Sequence, residues 1–403
     1  MANQGSEPGW AATPTPQPTP MPSPSTSAGW YADPWGQATW RWYDGRSWTA
    51  HVSTPVVNFP APQTTPQATK PRLPSFLSTP VALAAIPSLA LLAIPLFTNP
   101  ITVLLGIVPF FIVAPVLIWM DRLEPEPWSS RLHTFLWGAF VAGFISLVVN
   151  TVFALVSGSE TLAAVVSAPI IEETTKAAAI VWMVRRKEVD GIMDGLVYAG
   201  WAALGFAMIE DVSFFYLADE QDLLFETFVG RALFTPFAHP LFTAWTGLAI
   251  GVAIRKRKPL ITAWWGLLLA ILSHAAWNGS LSLAETEGGA VVTGVVIIGF
   301  ILLFLATIVG VVVLRRRDAK RLMELLPHIA ARYNIAPERA AMFMNSNSRR
   351  SARKALRSKP ERQRFDDEAG AIARLAAMLD HDGTAAPEHE ARLVSQLAAA
   401  RQG

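Results

Sequence analysis

The chain has 403 residues, of which 52% are hydrophobic and only 16% are charged. This balance argues against a purely soluble protein and indicates a polytopic membrane protein. The absence of cysteine excludes disulfides, a thiolate metal site and a cysteine nucleophile, whereas the net charge of +2 excludes little because the basic residues are clustered.

The N-terminal quarter of the sequence is not membrane-like. Residues 1–28 are rich in Pro, Thr and Ser, lack the pattern of a secretory signal, and predict a disordered tail. Residues 29–53 form a compact tryptophan-rich module, in which alternating aromatics around Asp44-Gly45 predict a small β-hairpin. Residues 54–78 read as a second Pro/Thr-rich linker. A peptide-binding aromatic groove and a folded spacer are both open interpretations of the module.

The tryptophan-rich module carries a specific motif. Its pattern is Gly-Trp-Tyr-x-Asp-Pro, then Trp-Tyr-Asp-Gly, then Trp-Thr-x-His-Val. It resembles a short module of unknown function that precedes membrane segments in many actinobacterial proteins.

The region 79–314 is dominated by long apolar segments, which predict an all-α fold with about eight transmembrane helices. The segments are approximately 80–98, 101–120, 132–157, 161–184, 191–217, 230–254, 259–283 and 289–314. After them, residues 315–403 predict a cytoplasmic tail with helices around 318–333 and 367–380. A basic run in this tail predicts a solvated helical face rather than a nucleic-acid or lipid site. The run consists of Arg349, Arg350, Arg353, Lys354, Arg357 and Lys359.

The distribution of basic residues predicts the orientation in the membrane. Arg and Lys precede the first segment and recur at every second connection, for example at 185–187, 255–258 and 315–317. The intervening connections, such as 157–161 and 219–228, contain neither. The positive-inside rule therefore predicts a multi-pass protein of the cell membrane with both termini in the cytoplasm.

Ionisable residues interrupt four of the apolar segments. A charge inside a bilayer is costly, so such residues normally face a protein interior or a water-filled cavity. The fourth segment has Glu172, Glu173 and Lys176; the fifth has Glu210 and Asp211; the sixth has Arg231 and His239; the seventh has His274 and Asn278. Lys176 follows the glutamates by one helical turn, where it can pair with either of them.

The depth of these residues is the informative observation. Glu172, Glu210, His239 and His274 lie roughly 7 to 11 residues inside the outer ends of their segments, or roughly 10 to 17 Å at about 1.5 Å per residue. The four helices run in alternating directions, so sequence spacing does not force this agreement. We expect one polar chamber that opens toward the outer leaflet.

The residue types in this chamber suit two chemistries. One is activation of water by a carboxylate, and the other is binding of a divalent metal, for which zinc with two His, one Glu and an open position fits. Each residue alone also has a structural interpretation, such as a buried ion pair or an interhelical hydrogen bond. The His-Glu-x-x-His spacing of soluble zinc proteases is absent, so the prediction of a metal site depends on residue types only.

Four motifs together resemble the PrsW family of intramembrane proteases, within the wider group of CAAX prenyl proteases and bacteriocin-processing enzymes. They are Glu172-Glu173-x-x-Lys176, Phe206-x-x-x-Glu210, the Arg231 to His239 segment with Phe242-Thr243, and His274-x-x-x-Asn278. The resemblance covers about residues 80–314. One departure is Asp211, where the family commonly has Asn.

The resemblance implies an intramembrane endopeptidase and a role for each motif. Glu172 and Glu173 would activate the hydrolytic water, while Glu210, His239 and His274 would hold a metal or stabilise the tetrahedral intermediate. Asn278 would support the oxyanion, with Lys176 and Arg231 in supporting positions. The family's best-known substrate is a single-pass anti-sigma factor, cut near its extracytoplasmic side.

Other functions are consistent with a polar membrane chamber. A non-enzymatic scaffold or a transporter would use the same chamber differently, although the sequence shows no internal repeat of the motifs. A protease of prenylated peptides is a third interpretation. However, that branch usually pairs Glu-Glu with Arg instead of Lys and has His at the position of Glu210.

Overall fold

The structure is a computed structural model that describes residues 29–38, 40–53, 78–122, 125–284, 286–344, 346–380 and 387–401. The predicted tail 1–28 and nearly all of the linker 54–78 lie outside the described residues. The chain forms two compact units. One contains the tryptophan-rich module and residues 323–355, and the other contains the apolar helices and residues 356–403.

The tryptophan-rich module is a three-stranded antiparallel sheet with the order β1-β2-β3. The strands are β1 Gly29–Ala32, β2 Trp40–Tyr43 and β3 Trp48–Ser53. The predicted hairpin is the β2-β3 pair, with Gly45 at a φ of 92° in the turn. Strand β1 is joined to this hairpin through Asp33, which directly follows β1 and accepts a 2.9 Å bond from the buried Arg41 Nε on β2.

Helices account for the rest of the described chain. The first eight are α1 Thr79–Thr98, α2 Pro100–Met120, α3 Trp128–Ser157, α4 Ala168–Arg185, α5 Ile192–Asp219, α6 Leu224–Arg255, α7 Leu260–Leu283 and α8 Gly289–Arg332. The tail adds α9 Pro337–Met344, α10 Ser346–Ala355, α11 Lys359–Asp380 and α12 Pro387–Arg401. The separate helix expected at 318–333 is instead the continuous end of α8, because nothing terminates the helix after its apolar part.

Seven of the described helices are long and apolar enough to cross a membrane, namely α1, α2, α3, α5, α6, α7 and α8. The remaining predicted segment is α4 together with the turns Glu160–Leu162 and Ala163–Ser167 that precede it. It differs from the others because it carries Glu172, Glu173 and Lys176.

Helix α5 is the centre of the bundle and α8 lies at its edge. About 78% of the apolar window of α5 is buried within the protein, but only 6% of that of α8. Small residues allow α5 to approach α6 closely, since a Cβ on Gly195 would lie 2.3 Å from the carbonyl oxygen of Gly247. The central helix therefore presents its C-terminal half, with Glu210, to α4 and α6.

Candidate active site

The carboxylate pair lies just after a local distortion of the helix. Residues Ala163–Ser167 form a π-helical turn, and α4 starts immediately after it. Such turns re-aim the residues that follow and are frequent at functional sites. The side chain of Asn278 fixes this turn by donating a 2.9 Å hydrogen bond to the carbonyl of Ala164. Glu172 and Glu173 are both buried as a result.

Glu173 is the better anchored of the two carboxylates. Its Oε1 lies 2.9 Å from Lys176 Nζ and 3.1 Å from His274 Nδ1. Its Oε2 accepts a 2.8 Å bond from the hydroxyl of Thr243. With these partners from α4, α6 and α7, Glu173 holds three helices in register.

Glu172 is the less satisfied carboxylate. Asn150 Nδ2 lies 3.5 Å from its Oε1, at the limit of a hydrogen bond. Its buried Oε2 has no hydrogen-bond partner among the described residues. The closest ionisable atoms are Lys176 Nζ at 3.7 Å and His274 Nε2 at 3.8 Å. This oxygen is free to accept a proton or bind a cation.

A second set of charges joins α5 to α6. His239 Nε2 lies 2.8 Å from Glu210 Oε2, and Arg231 pairs with the same oxygen. Arg231 Nε also pairs with Asp211 Oδ1 at 2.6 Å. His239 Nδ1 lies 3.1 Å from Lys176 Nζ, which connects this set to the glutamate pair. Asp211, the departure from the family pattern, therefore shares one guanidinium with Glu210.

Aromatic rings pack against two of the polar side chains of the site. Lys176 Nζ lies 3.9 Å from the ring centroid of Phe206, and the ring of Phe242 stacks on that of His274 with centroids 4.6 Å apart. Both contacts limit the rotation of charged or hydrogen-bonding groups. They favour a fixed geometry over a solvated one.

The structure joins all the predicted site residues except Asn278 into one network. Asn278 contacts the backbone of the π-helical turn instead. Sequence reasoning missed Asn150, whose Oδ1 accepts a 2.7 Å bond from Ser167, and gave no role to Thr243. A lone Asn in the apolar run of α3 was the available signal, because polar residues in membrane helices are usually functional.

Two cavities meet at this network. The apolar cavity has a volume of about 590 Å³ and lies among α1, α3, α4 and α5. The polar cavity has a volume of about 220 Å³ and is lined by residues such as Asp211, Arg231 and His274. Both share the wall residues Ala164, Glu210, Phe214 and Asn278. A peptide that runs from one cavity into the other would pass the carboxylates of Glu172 and Glu210.

One group of side chains could hold a metal ion. Donor atoms of Glu172, His239 and His274 all lie within 4.8 Å of one another, and we call these residues the metal group. Tetrahedral zinc ligands, at about 2.1 Å from the ion, lie about 3.4 Å apart. The 3.8 Å between Glu172 Oε2 and His274 Nε2 is close to this value. Glu210, which the resemblance places among the ligands, instead contacts His239 Nε2.

A separate polar cluster lies at the other end of α5, outside the candidate site. Asp121 pairs with Arg131, and burial raises the pKa of Asp121 to about 7 although this arginine opposes the shift. Burial likewise raises the pKa of Glu126, which accepts a 2.7 Å bond from Tyr198. Burial also raises the pKa of Asp190. These groups affect stability more than chemistry.

Comparison with known proteins gives two family matches. Residues 126–311 match the model of the PrsW family intramembrane metalloprotease, and residues 28–68 match a protein of unknown function, DUF2510. The first match contains every candidate site residue but not α1 or α2. No solved structure matches the chain.

Two proteins called Protease PrsW are similar in sequence to this chain. Protease PrsW of Clostridioides difficile (strain 630) is 28% identical over 180 residues, which cover 41% of this chain and 75% of that protein. Protease PrsW of Geobacillus kaustophilus (strain HTA426) is 30% identical over 159 residues, which cover 38% of this chain and 68% of that protein.

Proposed function

This chain belongs to the PrsW family of intramembrane metalloproteases, and we propose that it hydrolyses a membrane-anchored protein near the extracytoplasmic side of the bilayer. It is a multi-pass membrane protein and an intramembrane peptidase that acts on a membrane protein substrate. The observation that carries the proposal is the buried Oε2 of Glu172, which has no hydrogen-bond partner among the described residues and lies close to the wall where the two cavities meet.

The chemistry that we propose is direct attack of water on a peptide carbonyl. Glu172 accepts the proton of the attacking water, because its Oε2 is the carboxylate oxygen left without a donor, and returns this proton to the departing amine when the C–N bond breaks. Glu173 orients His274 and Lys176 and has no free position for water. The chain has no cysteine, and the candidate site places no serine in a triad, so the mechanism needs no acyl-enzyme.

The remaining site residues stabilise charge that develops on the substrate. His239 and Arg231 hold Glu210 at the wall between the cavities, and the cationic Lys176 lies behind the glutamate pair. Asn278 supports the oxyanion only indirectly in this arrangement, since its amide keeps the π-helical turn in place. Such preorganised groups act strongly in a site that excludes water.

The metal group fits the ion that the family description implies. It offers one carboxylate oxygen and two imidazoles, the donor set of many catalytic zinc sites, and Glu172 Oε2 has no hydrogen-bond partner among the described residues. A divalent ion bound there would polarise the peptide carbonyl and make a water molecule more acidic. If Glu172 held such an ion, Glu210 would be the carboxylate placed to accept the proton in its stead, because its side chain is 22% exposed and lines both cavities.

We propose an anti-sigma factor as the substrate and a cytoplasmic location for both termini. The alternate placement of basic connections supports this orientation. The site then lies in the outer half of the bilayer, which suits a first cut near the outer face of a single-pass protein. The tryptophan-rich module 29–53, the protease domain 79–314 and the tail 315–403 are proposed as separate domains.

Comparison of protein N-termini in membranes tests the proposal. Cells would make the wild type, Glu172→Gln or the matched control Glu220→Gln, which changes an exposed carboxylate outside the site. We expect new termini near the outer ends of single-pass helices with the wild type and the control only. Identical profiles in all strains under several envelope stresses would favour a scaffold or a transporter.

A further inference from the structure

The apolar cavity is larger than hydrolysis of a single peptide bond requires. It is built from the second halves of α1, α3 and α5 and from the start of α4. It extends from these helices to Glu172 and Glu210. Helix α1 lies outside the region 126–311 that matches the protease family, whereas α3, α4 and α5 lie within it.

The mouth of this cavity is apolar and exposed. Leu91 on α1, Leu147 on α3 and Leu217 on α5 line it, and their side chains are 42%, 48% and 53% exposed. In a bilayer such leucines face lipid tails, whereas the inner wall at Glu172 is buried. The cavity therefore provides a lateral route from the bilayer to the carboxylates.

Two polar side chains line the inner part of this otherwise apolar cavity. Ser146 and Asn150 are four residues apart on α3 and so lie on one face of the helix. Ser146 is 3% exposed, and its Oγ has no hydrogen-bond partner within the part of the chain that the structure describes. A buried hydroxyl without a hydrogen-bond partner is costly, which indicates that a bound ligand with polar groups supplies the missing hydrogen bond.

We propose that the apolar cavity binds the unwound end of the substrate's membrane-spanning segment, which enters between α1 and α3 from the bilayer. Ser146 and Asn150 bind peptide groups that lose their helical hydrogen bonds when the segment unwinds. An unwound backbone in an apolar environment needs such partners. The scissile bond then lies at the wall near Glu210, and the polar residues of the substrate enter the polar cavity. This inference rests on the proposed proteolytic function.

The size of the cavity agrees with this occupant. A residue fills about the same volume whether its backbone is helical or unwound. In a helix about 10 Å across that rises 1.5 Å per residue this volume is roughly 120 Å³, so the cavity of about 590 Å³ has room for about four or five unwound residues. A lipid tail would fill the apolar part, but it would leave the hydroxyl of Ser146 without a partner. The substrate class is thus a protein cut within about five residues of an apolar membrane segment.

Gly143 offers a way to fill the cavity without disturbing the helix bundle. It lines the cavity, and a Cβ added there would meet its nearest atom, Ile209 Cγ2, at 3.5 Å, an ordinary contact. The matched control is Gly299→Leu on α8, where nothing lies within 4 Å of the added Cβ. Both variants add the same side chain to a membrane helix, but only one of them places it in the cavity.

The experiment compares cleavage of the proteins whose new N-termini depend on Glu172. We expect Gly143→Leu to reduce this cleavage about tenfold or more, which corresponds to about 1.4 kcal/mol and lies within the usual cost of overpacking a well-fitted site. Gly299→Leu should cleave like the wild type, and Ser146→Ala should lose about threefold to tenfold, the cost of one lost hydrogen bond. Cleavage by Gly143→Leu within twofold of the wild type would overturn the inference.

Substrate variants separate occupancy of the cavity from misfolding. If the leucine fills the cavity, replacing a large apolar residue next to the cut by Ala should restore cleavage by Gly143→Leu. A loss that no such replacement restores would assign the effect to folding and overturn the inference. A wild type that produces no Glu172-dependent termini would instead refute the proposed function itself.

Discussion

Substitution of Lys176 tests whether ion pairs hold the candidate site together. Its side chain is fully buried, with Nζ 2.9 Å from Glu173 Oε1 and 3.7 Å from Glu172 Oε2. With an effective dielectric constant of about 20, Coulomb's law gives roughly 6 and 4 kcal/mol for these two pairs before desolvation is subtracted. Lys176→Met leaves both carboxylates buried without this cation. We expect a loss of about 3–5 kcal/mol in the free energy of unfolding.

A second substitution should recover much of this loss. Glu173→Gln removes one buried negative charge but keeps an oxygen for the hydroxyl of Thr243, which donates to Glu173 Oε2 at 2.8 Å. The double variant Lys176→Met/Glu173→Gln should therefore be more stable than Lys176→Met alone. A double-mutant cycle should give a coupling energy of about 2–3 kcal/mol.

The assay is unfolding of the purified protein in mild detergent by titration with dodecyl sulfate, followed by helical circular dichroism. A chelator in all samples removes stabilisation by bound metal. Lys256→Met, on an exposed lysine at the end of α6, serves as the control and should have almost no effect. Losses of the two single variants that simply add in the double variant would refute the buried ion pair as the element that holds the site.

Three further outcomes are expected from the same unfolding measurement, with the chelator left out of the samples that receive zinc. Gly205→Ala should destabilise the protein by about 2 kcal/mol or more, since its Cβ would lie 2.0 Å from the carbonyl oxygen of Phe135. Gly143→Ala should be nearly neutral. Equal losses of stability in the two variants would refute the packing argument. Because burial raises the pKa of Asp121 to about 7, the folded state keeps a proton that the unfolded state releases near pH 4. Stability should thus fall as the pH rises from about 4 to about 7, and Asp121→Asn should make this slope shallower; an unchanged slope would contradict it. Zinc at about 100 times its dissociation constant should stabilise the wild type by about 2.7 kcal/mol. It should not stabilise a variant with Ala at both histidines of the metal group. An equal effect on both proteins would exclude that site.

The sequence was sufficient to predict the apolar helices and to predict that the ionisable residues of four of them lie together. Apolar segments long enough for a membrane have few alternative structures, and the cost of burying a charge restricts where the ionisable residues can face. Glu210 and His239 were expected at the same depth, and they are in direct contact at 2.8 Å. The alternation of aromatics around Asp44-Gly45 was likewise sufficient to predict the hairpin.

The division of labour between the two glutamates could not be predicted. Glu172 and Glu173 are adjacent and identical in type, so the sequence treats them alike. Their difference arises from the neighbouring helices, since Thr243 on α6 and His274 on α7 satisfy Glu173 and leave Glu172 Oε2 open. The π-helical turn at Ala163–Ser167 sets which carboxylate faces which helix, and helical periodicity does not reveal such a turn.

Charge balance gives a final test of what completes the site. The buried network contains more carboxylates than cations. Its ionisable members are Glu172, Glu173, Glu210, Asp211, Lys176 and Arg231. With neutral histidines and all of these groups ionised, two negative charges remain, which one divalent cation or two protons would balance. Such an excess is costly in a low-dielectric interior.

Removing the same two charges by substitution should therefore replace the need for an ion. Glu172→Gln/Asp211→Asn keeps an oxygen toward Arg231 and introduces at 211 the residue that the family commonly has. In chelator, we expect this double variant to be more stable than the wild type by about 1–4 kcal/mol, as for other replacements of buried charge. Zinc should then stabilise only the wild type. A double variant that is less stable than the metal-free wild type would mean that the carboxylates are already balanced within the protein.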